Sequence, residues 1–272
     1  MKLSIIIPVG EISALNRCDQ SLRTSIENGP KDVEVEVLPC YDLEHRGVFS
    51  ARNEGLKRAT GEWIAWVDCD DIVEENWFAE IVAAIKKHPD VDIIQFDATE
   101  IRHGHMRSHA YGRAGLVSGN EFARSLLRAT GMPAWLWTRV FKRKLFAGRK
   151  FVGRVNEDYR MFLEVLPEIG QVWSVGKPLY RYIRRGTGIS NYTQAMDYRE
   201  AGAAFEALIR GLPEDWQRDA HIGMALIMAD VTLHSKIENG ARYWVRKYLW
   251  LTLKDARVSL RLKFKALLAT FG

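Results

Sequence analysis

Three carboxylates lie within four consecutive residues, in the sequence Asp68-Cys69-Asp70-Asp71. Like charges this close repel one another, and a divalent cation bridging a diphosphate would relieve the repulsion. Mg²⁺ typically takes one or two carboxylates together with phosphate oxygens, so the residues suit a metal-bound diphosphate. A structural alternative is a helix cap, because Asp71 is followed by Glu74 at the spacing of a capping box.

Glu157, Asp158 and Arg52 are charged residues near the starts of predicted helices. The two acids could do chemistry, or they could simply complement the positive end of the helix dipole. Arg52 opposes that dipole, so it should have an anionic partner. The partner is either a bound anion or an ion pair with Asp68 or Asp70.

Trp137 and Arg185 are further candidates for ligand contacts. Trp137, two residues after Trp135, could stack on a sugar ring or could belong to the core. Arg185 lies in a loop with two glycines over residues 184–190, which suits either phosphate contacts or a solvated surface.

Hydrophobic periodicity predicts the elements that must position these residues. Strands are expected over residues 2–9, 33–38, 63–67 and 91–96, with helices between them near residues 15–26, 50–60 and 77–85. Alternating strands and helices indicate right-handed crossovers and a mostly parallel sheet. Ligands of such sheets bind beyond the carboxyl ends of the strands, and Asp68 directly follows one of these ends.

The second half of the chain has a less regular pattern. Residues 100–119 are rich in His, Arg and Gly and predict a long loop. Helices are expected over 121–129 and 157–166, short strands over 172–175 and 179–183, and mostly helix beyond residue 194.

Composition excludes several classes of protein. The 272 residues are 47% hydrophobic and 27% charged, which is ordinary for a globular protein and excludes disordered and fibrous classes. No apolar run approaches the roughly 18 residues that a membrane span needs. The apolar run from Leu3 to Val9 is too short for a signal peptide. Three widely spaced cysteines indicate a reducing compartment, so a cytoplasmic location is expected.

Several of these segments together resemble the inverting glycosyltransferases of family 2. The stretches SIIIPV (residues 4–9) and GVFSARNEGLKRATGEWIAWVDCDD (47–71) are similar to the nucleotide-sugar half of that family. PAWLWTRVFKRKLF (133–146) is similar to its middle segment, and NEDYRMFLEVL (156–166) and LYRYIRRGTGIS (179–190) to its acceptor half.

The resemblance implies the α/β GT-A fold, a Rossmann-like, mostly parallel sheet flanked by helices with a helical C-terminal extension. It places a glycosyltransferase domain at residues 1–193, divided at 98/99, before a helical region at 194–272. It implies transfer of a sugar from a nucleoside diphosphate sugar, with UDP as the expected nucleotide, to a hydroxyl of a glycan or lipid-linked glycan in cell-surface polysaccharide synthesis. A divalent cation, Mn²⁺ or Mg²⁺, would assist.

The resemblance also implies roles for single residues. Asp158 matches the catalytic base of the family, and Asp70 the metal ligand, with Asp68 beside it near the ribose. Arg52 lies where the family has an arginine near the donor phosphates. The donor side would comprise Pro8, Val9, Asp42, Arg52 and Asp68, and the acceptor or phosphate side Trp137, Glu157 and Arg185.

Two departures from the family pattern concern the donor base. Gly10-Glu11 stands where members usually carry Tyr-Asn, and the segment from Leu38 to Asp42 replaces an Asp-Asp-Gly-Ser-like turn. Either Asp42 could read the base or Tyr41 could stack on it, so uracil is left open.

The C-terminal segment concentrates the positive charge. Residues 241–272 hold eight basic residues and one acidic residue, which is a net charge of +7. Because the net charge of the whole chain is +5, the preceding 240 residues have a net charge of −2. Apolar residues recur there at steps of three and four, at positions 249, 253, 256, 260, 264, 267 and 271. Such a helix could lie on an anionic membrane at the inner face of the plasma membrane, or it could pack against the domain.

Two other functions are alternatives to glycosyl transfer. A non-catalytic sugar-binding module on a degenerate site would explain the altered base-reading turn. A nucleotidyltransferase would need a glycine-rich phosphate loop after the first strand, which Gly10 alone does not supply. Nucleic-acid binding is not expected, because the excess basic residues are confined to the C-terminal segment without a recognised module.

Overall fold

The computed structural model describes residues 1–10, 12–111, 113–128, 133–153, 156–184, 197–235 and 240–271. Over these residues nine strands form one sheet. The strands are β1 (Lys2–Val9), β2 (Glu34–Tyr41), β3 (Trp63–Trp66), β4 (Ile72–Val73), β5 (Ile93–Arg102), β6 (His105–His109), β7 (Gly115–Ser118), β8 (Arg139–Lys142) and β9 (Gln171–Ile183). The helices are α1 (Ile12–Glu27), α2 (Val48–Arg58), α3 (Trp77–Lys87), α4 (Gly119–Leu127), α5 (Glu157–Val165), α6 (Tyr198–Arg210), α7 (Glu214–His234), α8 (Ala241–Lys254) and α9 (Leu260–Phe271).

The strand order β2-β1-β3-β8-β5-β9-β4 confirms a mostly parallel sheet flanked by helices. β1 pairs in parallel with β2 and β3, and β5 in parallel with β9. β8 is antiparallel to both β3 and β5, so β5 runs in the same direction as β3. The carboxyl ends of β1, β2, β3, β5 and β9 therefore share one edge of the sheet.

The core lies mainly between this sheet and the helices α1 and α3. β1 is buried from Leu3 to Val9 and β3 throughout, as expected for strands covered on both faces. α3 presents the buried side chains of Trp77, Phe78 and Ile81. This packing fixes the position of the loop that follows β3.

The predicted long loop over residues 100–119 is wrong. β5 continues to Arg102 and pairs with β6 through a two-residue turn, His103-Gly104, in which both φ angles are positive (48° and 79°). That conformation matches the twist of a hairpin. β7 pairs with β9, which is one strand rather than the two predicted. β6 is largely exposed on both faces, so no alternation of apolar residues marks it.

The chain divides into two compact units. The first comprises residues 1–119, 135–158 and 168–185, and the second residues 120–134, 159–167 and 186–272. The predicted domain boundary at 193/194 lies outside the described residues, so it stays a prediction. The first unit holds the sheet, and the second holds α6 to α9 with most of α4 and α5.

The second unit packs its helices around small and aromatic side chains. Trp244 of α8 donates a hydrogen bond from Nε1 to the carbonyl of Tyr198 at 3.1 Å. A Cβ atom at Gly202 would lie 2.1 Å from that nitrogen, so the close approach of α6 and α8 requires glycine there. Among the described residues, no helix combines the length and apolarity needed to cross a bilayer.

Candidate active site

The acidic loop begins where β3 ends. Val67 is fully buried, and its amide donates a 3.0 Å hydrogen bond to the carbonyl of Ile6, which continues the pairing with β1. Asp68 and Asp70 follow, both half-buried, with the side chain of Asp68 29% exposed. Both predicted metal ligands therefore lie at the carboxyl edge of the sheet, where a ligand could reach them.

Asp71 is not a helix cap, because α3 begins only at Trp77. Its carboxylate is buried and accepts hydrogen bonds from the hydroxyl of Tyr180 at 2.9 Å and the amide of Ile183 at 2.7 Å. The same hydroxyl accepts a 3.0 Å bond from the amide of Asp68. Asp71 and Tyr180 thus hold the acidic loop against β9, which explains why a third acid follows Asp70.

Arg52 joins two predicted halves of the site. Its guanidinium is buried, with Nη1 2.5 Å from Oε1 of Glu157 and Nη2 3.7 Å from Oδ1 of Asp68. An ion pair with Asp68 was one of the predicted alternatives, whereas the contact with Glu157 was not anticipated. Arg52 therefore brings the loop after β3 next to the start of α5. Arg52 and Glu157 are 105 residues apart in sequence.

The acidic pair at the start of α5 divides into a buried and a more accessible member. Glu157 is 8% exposed and forms an ion pair with Arg52, whereas Asp158 is half-buried. Asn156 precedes them with φ of 46°, in the left-handed region that asparagine tolerates. Burial opposes the charge of Arg52, but the charges of Glu157, Asp68 and Asp158 raise the pKa of its guanidinium. Asp158 therefore lies within electrostatic reach of Arg52.

A second guanidinium lies near Asp158. Arg139 is fully buried, donates from Nε to Gln95 at 3.1 Å, and donates from Nη1 to the carbonyl of Trp135 at 2.6 Å. Burial lowers the pKa of Arg139 to about 10, and the negative charge of Asp158 counteracts that shift. Apart from its place in the Trp-rich segment, no sequence pattern marks Arg139 as a site residue.

The site carries more negative charge than its arginines compensate. Burial and the neighbouring carboxylates Asp70 and Glu157 raise the pKa of Asp68 to about 6, although Arg52 acts in the opposite direction. Burial together with Asp68 and Asp70 also raises the pKa of Asp71 well above its ordinary value. This uncompensated charge is what a cation would relieve.

The donor set fits a hard divalent cation that is shared with a ligand. Asp68 and Asp70 offer carboxylate oxygens, the ligands Mg²⁺ and Mn²⁺ prefer. Within the described part of the chain, no three His, Cys, Asp or Glu side chains are grouped so that they alone could hold a metal. Phosphate or water oxygens would have to complete the coordination.

The remaining predicted donor residues lie at the ends of β1 and β2. Pro8 and Val9 are buried and pair with Cys40 and Tyr41. The carboxylate of Asp42 accepts hydrogen bonds from the amides of Arg46 at 2.9 Å and Gly47 at 2.6 Å, which shapes the loop leading into α2. Tyr41 is 45% exposed, so of the two residues considered for base recognition its ring is the more accessible.

Trp137 belongs to an aromatic stack rather than to an open surface. It is 4% exposed, with ring centroids 4.7 Å from Trp135, 4.5 Å from Tyr180 and 5.3 Å from Tyr182. This packing favours a place in the core over stacking on a sugar. The ring of Trp137 stacks on that of Tyr180 and so helps to fix its position. Arg185 lies outside the described residues.

Comparison with known proteins finds glycosyltransferases among the relatives of this chain. Residues 31–146 match the family described as "Glycosyl transferase family 2". The chain is 21% identical over 262 residues to glycosyltransferase GlyA of Streptococcus pneumoniae, covering 85% of this chain and 38% of GlyA. It is 26% identical over 223 residues to the uncharacterized glycosyltransferase YibD of Escherichia coli, covering 70% of this chain and 63% of YibD. The chain thus spans less than two thirds of either relative.

Solved structures agree with the fold. S. aureus TarS 1-349 in complex with UDP-GlcNAc superposes with a TM-score of 0.67 at 17% identity, covering 99% of this chain and 88% of that one. The same protein in complex with UDP gives a TM-score of 0.66. These likenesses confirm the GT-A fold. The family match over residues 31–146 and the shared fold agree with the resemblance found in the sequence.

Proposed function

We propose that this chain is an inverting glycosyltransferase that moves a sugar from a nucleoside diphosphate sugar to a hydroxyl of a glycan or lipid-linked glycan. The observation that carries the proposal is the bridge of Arg52 between Asp68 and Glu157. It places the acids that would face the diphosphate beside the acid that would face the acceptor. A transferase needs this juxtaposition because both reactants must be held together.

A uridine diphosphate donor is supported by the likeness to TarS, which was solved with UDP-GlcNAc and with UDP. The base would lie near Tyr41 and the ribose near Asp68. Arg52 would contact the diphosphate, since its guanidinium already binds anionic side chains.

Asp70 and Asp68 would hold Mg²⁺ or Mn²⁺ together with oxygens of the diphosphate. When bound, the cation would neutralise the charge that develops on the leaving diphosphate. The raised pKa of Asp68 supports this assignment, because burial and the neighbouring carboxylates Asp70 and Glu157 both disfavour its negative charge.

Asp158 would act as the catalytic base. Its carboxylate takes the proton from the acceptor hydroxyl while that oxygen forms a bond to the anomeric carbon. The bond between the anomeric carbon and the diphosphate oxygen breaks on the opposite face, so the configuration inverts. Glu157 is less suited to this role because it is 8% exposed and paired with Arg52.

The test compares Asp158→Asn with Glu157→Gln. UDP release from a panel of UDP-sugars, in the presence of an acceptor extract and Mn²⁺, reports turnover, and a thermal shift with UDP reports donor binding. We expect Asp158→Asn to slow turnover by about 10²- to 10⁴-fold with UDP binding unchanged. Glu157→Gln should weaken UDP binding as well, because it releases Arg52.

Two results would contradict the assignment. If Asp158→Asn abolished UDP binding, Asp158 would be a binding residue. If the unmodified chain bound UDP but released none from any donor, the non-catalytic sugar-binding alternative would be favoured. Asp197→Asn, which changes a carboxylate that caps α6, is the matched control for folding.

Membrane association through α9 forms part of the proposal. The predicted apolar stripe over 249–271 is interrupted, because α8 ends at Lys254, α9 begins at Leu260, and Leu249 is buried. α9 nevertheless leaves four large apolar side chains exposed at spacings of four and three: Leu260, Phe264, Leu268 and Phe271. Basic residues flank them, so this face is suited to an anionic lipid surface.

Substitution is a sharper test of this face than truncation, because buried residues of α9 such as Ala266 belong to the core. Leu260, Phe264 and Phe271 changed together to Ser should reduce sedimentation with vesicles containing phosphatidylglycerol. The control changes Leu43, Met106 and Leu116 to Ser, which are comparably exposed. Equal sedimentation of the two variants would exclude α9 as the attachment site.

A further inference from the structure

A basic cleft lies in the first unit, away from the acidic loop. It has a volume of about 860 Å³ and is lined by residues that include Met1 and Trp63. These residues stand at the amino ends of β1 and β3, whereas Asp68 follows the carboxyl end of β3. The cleft is therefore at the opposite edge of the sheet from the candidate active site.

The lining of this cleft is strongly cationic. Seven Lys or Arg residues and a single acid, Glu62, are found among its lining residues. Three of the cations are already compensated: Lys86 by Asp32, Lys144 by Asp92 and Arg149 by Glu168. The other four form no ion pair with an acid of the described residues, and these are Lys57, Lys142, Arg143 and Lys150.

Local structure holds some of these cations in place before any ligand arrives. Arg143 donates from Nε to the carbonyl of Gly61 at 2.7 Å, and its amide donates to the carbonyl of Glu62 at 2.8 Å. The ammonium of Lys142 lies 5.7 Å from the ring centroid of Trp63. A fixed guanidinium loses little entropy on binding an anion, so the arrangement is suited to a ligand.

The segment 142–150, which carries three of the four cations without an ion pair, is anchored to α2. Asn53 of α2 donates from Nδ2 to the carbonyl of Phe151 at 2.8 Å, and its Oδ1 accepts from the amide of Phe151 at 2.7 Å. This paired contact anchors the end of the segment 142–150 to α2, which also carries Lys57 in its last turn. The cleft thus has two cationic walls built from separate elements.

We infer that this cleft binds a ligand carrying two or more phosphate groups. Four uncompensated cations exceed what a single carboxylate would neutralise. Lys and Arg side chains are the usual partners of phosphate oxygens. The buried rings of Trp63 and Phe146 among the lining residues give the cleft an apolar floor, which would accept the organic part of such a ligand.

Lysine acylation read by mass spectrometry tests this inference at single residues. The full chain is acylated with and without inorganic tripolyphosphate, in EDTA so that no divalent cation holds the probe at the acidic loop. We expect protection of Lys57, Lys142 and Lys150, with Lys31 and Lys87 outside the cleft unchanged. Repeating the reaction with phosphatidylcholine vesicles containing a polyprenyl diphosphate, a lipid with two phosphate groups, separates the sources. Protection by vesicles alone would identify a lipid headgroup, and protection by tripolyphosphate a soluble phosphate.

A charge-matched pair of variants completes the test. The variant with Lys57, Lys142 and Lys150 changed to Gln should bind tripolyphosphate about tenfold more weakly, as expected for the loss of three exposed ion pairs. The control changes Arg102, Arg107 and Arg113 to Gln and should leave affinity within about twofold. Equal weakening in both variants, protection of every lysine alike, or no protection by either probe would overturn the inference.

Discussion

Two groups of charged residues, one around Asp68 and one around Asp219, differ in how their charges balance. In the first unit, Asp68, Asp70 and Asp71 crowd together, and the guanidinium of Arg52 contacts Asp68 and Glu157. In the second unit, the fully buried Asp219 is surrounded by three arginines, Arg124, Arg128 and Arg257, at 2.9, 3.2 and 2.9 Å. The first group has surplus negative charge, and the second has surplus positive charge.

The pKa values follow this balance. Burial opposes ionisation of both Asp68 and Asp219, but the arginines lower the pKa of Asp219 below its ordinary value, whereas burial and neighbouring acids raise that of Asp68 to about 6. A compensated buried acid stabilises the fold. An uncompensated one lowers stability and is retained where a ligand supplies the missing charge. The comparison therefore separates a structural acid from a functional one.

The largest expected effect is the loss of Asp219. Asp219→Ala would remove the carboxylate that the three guanidiniums share, leaving Arg257 paired with Asp255. We expect the free energy of unfolding to fall by about 3 kcal/mol, the usual size for breaking a buried ion pair. Urea unfolding followed by far-UV circular dichroism measures it.

The matched control is Asp215→Ala, an exposed acid in the first turn of the same helix, α7. Its loss should cost less than about 1 kcal/mol, because an exposed charge interacts only with the helix dipole. If both variants lost the same free energy of unfolding, the ion pairs of Asp219 would stabilise the fold no more than an exposed charge does.

A smaller effect is expected at Glu36, a compensated acid in the same unit as the candidate active site. Although burial opposes ionisation, hydrogen bonds from Ser4 at 2.5 Å and the amide of Thr60 at 2.6 Å lower the pKa of Glu36 to about 2. A lowered pKa stabilises the fold above the ordinary pKa of the group, and the stabilisation disappears as the pH falls toward 2. Glu36→Gln should therefore cost about 2 kcal/mol at pH 7 and progressively less below pH 4.

Glu34→Gln is the control, because Glu34 shares the partner Lys2 with Glu36 but has a side chain that is 68% exposed. Urea unfolding at pH 7, 4 and 3 should show a pH-dependent difference for Glu36→Gln and almost none for Glu34→Gln. A loss at Glu36 that is the same at all three pH values would indicate packing rather than charge.

Periodicity predicted the half of the site that depends on local sequence. β1, β3 and α3 have apolar patterns set by burial, so the position of Asp68 at the carboxyl edge follows from residues 63–67 alone. The contact of Arg52 with Glu157 could not be predicted in the same way, because it joins side chains 105 residues apart. Tyr180 was missed for the same reason, since its hydroxyl acts on a loop from another strand.

The errors in the fold also have physical causes. The β5–β6 hairpin depends on backbone pairing and on the positive φ angles of His103 and Gly104, with little burial on β6. In the C-terminal segment, the apolar steps of three and four continue through residues 255–259. There the chain leaves the helix, with Asp255 buried and bonded to Arg257. Periodicity reports which residues are apolar but not where a helix is interrupted.

The smallest expected effect has the opposite sign and tests the uncompensated group directly. Asp70→Asn removes one of the charges that raise the pKa of Asp68. Because the folded state holds a proton on Asp68 up to about pH 6, stability falls as the pH rises from the ordinary carboxyl pKa to that value. In EDTA, Asp70→Asn should therefore be more stable than the unmodified chain by about 1 kcal/mol at pH 7.5, and by less at pH 5.

Mn²⁺ should raise the melting temperature of the unmodified chain and have little effect on the Asp70→Asn variant. If Asp70→Asn were less stable in EDTA, or if Mn²⁺ stabilised both proteins equally, the acids after β3 would be a structural group like that around Asp219.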